Sequence, residues 1–173
     1  MAVSRSRRST SGIVFIIAGA LVLLALLVPL LGLSAPWLFV LAEVAIAVAL
    51  VILAVGAVNS TLAKIALIAA AVGWAILAVN GLGLGLPGTL LTIAAIVAAI
   101  GGLIGAIVLY VGKEVTNISA IIFIVAMILG ALFLFALIGT LSLGTLGTVI
   151  VVLFGVALIA TGYYFTRKER GRR

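Results

Sequence analysis

A chain of 173 residues that is 67% hydrophobic and only 8% charged cannot hide its apolar surface as a soluble domain, because too few polar residues remain to face water. Its formal charge of +7 is spread along the whole length, which excludes the clustered basic face needed to grip nucleic acid. Cysteine, histidine, aspartate and glutamine are all missing, so disulfides, thiolate or imidazole metal sites, haem ligation by histidine and Ser-His-Asp chemistry are excluded too. No cofactor, no metal site and no enzymatic activity is expected.

Apolar runs of about 20 residues are long enough to cross a bilayer, since a helix rises about 1.5 Å per residue and the hydrocarbon core is about 30 Å thick. In chain order, the runs are Ile13–Leu33, Pro36–Val58, Leu62–Asn80, Gly88–Val111, Ile118–Gly139 and Gly147–Thr166. The intervening stretches carry helix-breaking chemistry: Gly32 to Pro36, Asn59-Ser60-Thr61, the glycine-leucine alternation from Gly81 to Gly88, Gly112 to Asn117, and Gly139 to Gly144. The predicted fold is all-α and polytopic, six transmembrane helices arranged as three hairpins. A basic tail at residues 1–12 and a second at 167–173 flank the membrane domain at 13–166. The first run is longer than a secretory h-region and is followed by further spans, so it reads as an uncleaved helix.

Orientation follows from the basic residues. With the N-terminus in the cytoplasm, Arg5, Arg7, Arg8, Lys64, Lys113, Arg167, Lys168, Arg170, Arg172 and Arg173 all fall on the cytoplasmic side, and the three outer loops contain none. Both termini are therefore expected in the cytoplasm. Trp37 at the outer boundary and Tyr110, Tyr163 and Tyr164 at the inner one fit an aromatic belt. The basic tails would draw anionic lipid toward the membrane surface.

The hairpins share turn motifs. Gly32-Leu33-x-x-Pro36 recurs as Gly83-Leu84-x-x-Pro87, and Leu84-Gly85-x-x-Gly88-Thr89 recurs as Leu143-Gly144-x-x-Gly147-Thr148. Six short-looped helices, a threefold hairpin and the Pro-Gly-Thr-Leu-Leu start at Pro87–Leu91 resemble the HdeD-like family of bacterial membrane proteins. The first hairpin departs from that start with Pro36-Trp37 and the third with Leu146-Gly147. The resemblance implies a small non-enzymatic protein of the bacterial inner membrane, linked to acid resistance and envelope stress. It carries over no ligand-binding residue.

Two features within the spans stand out. The fourth span sets small residues at Ala94, Ala98, Gly102 and Ala106, with Gly101 and Gly105 alongside, a groove that lets another backbone come close. Its partner is expected to be a neighbouring helix of the same bundle, or a second copy in a homo-oligomer. The second feature is Glu43, a carboxyl about 10 Å below the outer end of the second span by helical rise. An ionisable group at that depth is expensive, faces inward and is a functional candidate by default. It reads either as a proton site or as a structural acid bonded to backbone or to Asn80.

These observations favour an integral membrane protein with a structural or envelope-stress role, acting through membrane lipids or a membrane-protein partner. The alternatives are a small proton- or cation-coupled transporter or channel built on Glu43, and a membrane subunit of a larger transport complex.

Overall fold

The computed structural model describes residues 2–138 and 145–167, with side chains for 8–138 and 146–167. The turn before the sixth helix, with Thr140 and Ser142, the side chains of Arg5 and Arg7, and the basic residues after Arg167 lie outside the described residues. Within them the chain forms six helices, each long and apolar enough to cross a membrane: α1 (Ala2–Leu30), α2 (Trp37–Gly56), α3 (Thr61–Val79), α4 (Gly88–Val111), α5 (Asn117–Leu137) and α6 (Thr145–Thr166).

Helix ends are set by local chemistry. Ser60 caps α3 by accepting from the Ala63 N–H, and Thr116 caps α5 by accepting from the Ser119 N–H. Pro36 and Pro87 stand immediately before α2 and α4, where a missing N–H costs nothing. The end of α4 is less conventional. The Glu114 N–H reaches back to the Leu109 carbonyl, closing the helix around Lys113, which takes a left-handed φ of 50° without being glycine.

Two boundaries differ from the sequence expectation. The first helix begins at Ala2, well before Ile13, because no glycine or proline interrupts the chain until Gly12. Ser11 and Gly12, expected in the basic tail, are buried in the bundle. The third helix ends in a single wide π-type turn at Asn80–Leu84, kinked within at Gly83 and closed by Gly85, both of which take left-handed φ values that only glycine adopts at low cost. One wide turn thus replaces much of the loop expected between Gly81 and Gly88.

Each helix packs on its sequence neighbours, and α6 closes on α1, so the three hairpins join into a ring. Two seams are unusually close. On α3 and α4, a Cβ placed on Gly73 would stand 2.5 Å from the Ala94 carbonyl oxygen, and one on Gly101 would stand 2.6 Å from that of Ala66. On α1 and α6, a Cβ on Gly19 would stand 2.5 Å from the Gly155 carbonyl oxygen, and Gly12 and Gly162 meet still more tightly. Each seam repeats after seven residues, two turns of helix, so the contact stays on one face.

The axis of the ring is filled with rings of another kind. Trp74 of α3 stacks on Phe154 of α6 with centroids 6.0 Å apart and on Phe133 of α5 at 6.4 Å. Phe133 in turn stacks on Phe39 of α2 at 6.0 Å. Gly130 makes room, since a Cβ there would lie 3.0 Å from the Phe154 ring. Toward the end where the chain starts, Phe15, Phe123 and Phe165 form a second cluster with centroid separations of 5.7 to 6.1 Å. Such pairs bind through both dispersion and ring quadrupoles.

Candidate functional site

The described basic residues Arg8, Lys64, Lys113 and Arg167 gather at one end of the ring, as the up-and-down path of the chain requires. We call it the basic end. Trp37 and the wide turn mark the opposite end.

Near that opposite end lies Glu43. In α2 it shares a buried face with Ile46, Ala47 and Leu50, the i, i+3, i+4 and i+7 stripe of an inward-facing helix. Its side chain is only 5% exposed. Among the described residues no hydrogen bond or ion pair reaches its carboxyl. What it faces is Gly81, at the start of the wide turn: a Cβ there would lie 3.8 Å from Glu43 Oε2 and 2.6 Å from Val40 Cγ2. The absence of a side chain at Gly81 thus leaves room for Val40, with the Glu43 carboxyl at van der Waals distance beside it.

Asn80 is adjacent in the chain but serves another purpose. Its Oδ1 accepts the Leu86 N–H at 3.2 Å, which ties the wide turn to the start of α4. The structure therefore brings Glu43 and Asn80 to the same corner without a hydrogen bond between them. Chemically, the corner offers one carboxyl in an apolar wall. It can take or release one proton, but Val40 and Gly81 supply no further ligand for a cation.

The small-residue face of α4 divides between two neighbours. Ala94, Ala98 and Gly101 meet α3, through Gly73, Ala66 and Ala70, and Gly105 meets Leu67. Gly102 instead faces α5, where a Cβ would land 2.7 Å from Met127 Sδ. Ala106 is fully buried.

Polar chemistry that no sequence motif marks concentrates at the basic end. The Glu114 carboxylate accepts the Asn59 N–H at 2.7 Å and the Ser60 N–H at 2.9 Å, so it binds the backbone leading into α3. A negative charge there also suits the positive end of the helix dipole. Arg8 donates to the Glu114 carbonyl oxygen at 2.7 Å and, more weakly, to that of Ala57 at 3.5 Å. This cation of the basic tail ties α1 to two inter-helix turns. Deeper in, the buried Ser11 hydroxyl donates to the Ala49 carbonyl oxygen at 2.9 Å, linking α1 to α2. These partners lie 38 to 106 residues apart, so no local pattern announces them.

Comparison of the chain with protein-family models, with curated proteins and with solved structures finds no match.

Proposed function

We propose that this chain is a non-catalytic multi-pass protein of the bacterial cytoplasmic membrane, with both termini in the cytoplasm. In this reading it supports the envelope under acid or related stress through lipid or protein partners, as the HdeD-like resemblance implies. The observation that carries it is the filled axis: Trp74, Phe133, Phe154 and Phe39 stack where a carrier would hold its polar site. Reconstituted in liposomes with a pH-sensitive or cation-sensitive dye inside, the protein should pass no more ions than empty vesicles. Cells lacking it should survive acid shock less well. Flux well above that of empty vesicles would replace this reading with a transporter.

The orientation has its own test. Cysteines placed at Ser34 and Thr89, both exposed at the end opposite the basic one, should react with an impermeant thiol reagent added to intact cells. A cysteine at Asn117 should be protected until the membrane is opened. The reverse pattern would invert the topology.

A second reading is favoured by one specific observation, the buried carboxyl of Glu43 beside Gly81. Here Glu43 takes a proton and biases the packing of α2 against the wide turn. Glu43→Gln keeps the shape and removes the charge. Under this reading the variant folds normally and loses any pH dependence of acid survival or flux; retention of both would make Glu43 structural.

A further inference from the structure

On the outside of the ring, α2 and α3 leave a groove of about 300 Å³ between them. Its walls are wholly aliphatic, with Val48, Val51 and Ile52 on one side and Ile68, Ala71 and Ala75 on the other. Val48, Val51 and Ile68 are each more than 40% exposed, so the groove opens toward the surrounding bilayer and not into the ring. Small side chains at Ala71 and Ala75 hollow out the α3 wall.

The groove has a polar mouth. Ile68, Ala71 and Ala75 lie four, seven and eleven residues after Lys64, the spacing of one helical face, so Lys64 stands in line with the groove at the basic end. It sits in the first turn of α3, half-buried, and among the described residues no hydrogen bond or ion pair engages its ammonium. Its aliphatic stem can follow the wall while the charge reaches the interface. From Lys64 to Ala75 the helix rises about 16 Å, close to half of a hydrocarbon core about 30 Å thick. The trough itself runs from Ile68 to Ala75, about 10 Å of helix rise, so the cation and the trough together span about one leaflet, the reach of one lipid.

We propose that this groove holds an acyl chain of an anionic glycerophospholipid whose phosphate is bound by Lys64. The proposal rests on the membrane reading above and names the lipid class that the protein would select. The basic charge at the mouth favours an anionic headgroup over a zwitterionic one, and the aliphatic walls replace neighbouring tails with a fixed surface.

The test uses the full chain in nanodiscs of phosphatidylcholine containing a minor fraction of phosphatidylglycerol with the same acyl chains. The lipid that remains with the protein after gentle detergent transfer is measured by native mass spectrometry. The wild type should retain phosphatidylglycerol preferentially. Lys64→Gln should cut that preference about fivefold, the effect of one interfacial cation. Ala75→Phe, at an exposed position where the fold is not at risk, should block the trough and release the lipid although Lys64 remains. Arg167→Gln removes an equal charge from the same end but away from the groove, in a tail that attracts anionic lipid only diffusely, and should lower retention clearly less than Lys64→Gln. Equal retention of both lipids, equal losses in Lys64→Gln and Arg167→Gln, or full retention in Ala75→Phe would each overturn the proposal. So would a change of oligomeric state in Ala75→Phe, which would show that a second copy covers the groove. Failure of the protein to enter nanodiscs at all would instead strike the membrane reading on which the proposal depends.

Discussion

Gly73→Leu should prevent the ring from closing, with a loss of about 3 kcal/mol or more in detergent stability. The reason lies in what the added atoms meet. The first carbon alone would press on the Ala94 carbonyl oxygen at 2.5 Å and on the Ala98 backbone nitrogen at 2.8 Å, and backbone cannot swing aside. In a bilayer, lipid tails are as apolar as leucine, so helix association depends on this close fit and not on burial of apolar area. Gly102→Ala, a smaller change on the neighbouring α4–α5 seam, sets the mild end of the scale. Its new carbon meets the tip of Met127, a flexible thioether that can choose another rotamer, so about 1 kcal/mol or less is expected. Thermal unfolding followed by size-exclusion chromatography would separate the two. Equal melting for both variants would mean that the α3–α4 seam is not what holds the ring together.

The contrast between those glycines separates what is legible in the chain from what is not. Spans are legible because about twenty apolar residues in a row suit a hydrocarbon core and little else in a folded protein. The small-residue face of α4 is legible because its spacing repeats along one helix. Which neighbour takes which residue is not: Gly101 and Gly102 are adjacent in sequence yet point at α3 and α5. The closure of α6 on α1 is also hidden, since Gly12 follows directly on a basic, polar stretch and its partner Gly162 lies at the far end of the chain. Phenylalanines and one tryptophan scattered over five helices carry no local sign that they will meet in two clusters inside the ring.

Glu43 and Glu114 make the same point from opposite sides. From sequence, Glu43 draws attention because depth in a membrane makes any carboxyl costly, whatever surrounds it. Its corner is only partly legible, because the fit against Gly81 depends on α3 widening at Asn80, where glycine-rich sequence suggests a loop. Glu114 lies in a short polar turn, where a charge costs little and suggests nothing. Only the folded chain brings it to the start of α3, 54 residues earlier.

Glu114→Ala should therefore cost far more than its place in a loop suggests. The carboxylate holds two backbone N–H groups at 2.7 and 2.9 Å, and bonds from charged acceptors are the stronger kind. Each is worth about 1.5–3 kcal/mol when well buried. The Asn59 bond is exposed and the Ser60 bond only part-buried, so about 2 kcal/mol for the pair is the expected loss. The damage should spread. With its carboxylate gone, the turn from Gly112 to Val115 loses its tie to α3, and the Glu114 carbonyl that receives Arg8 is free to drift. Hydrogen exchange should then quicken at Asn59 and Ser60 first and at the start of α1 next. Glu114→Gln keeps one acceptor oxygen without the charge, so its loss should fall between the wild type and Glu114→Ala. Adding Arg8→Ala to Glu114→Ala should cost less than the sum of the two single changes, because the first substitution has already loosened the carbonyl that Arg8 needs. Additive losses, or a Glu114→Ala variant that melts with the wild type, would show the basic end to be held by the helices alone.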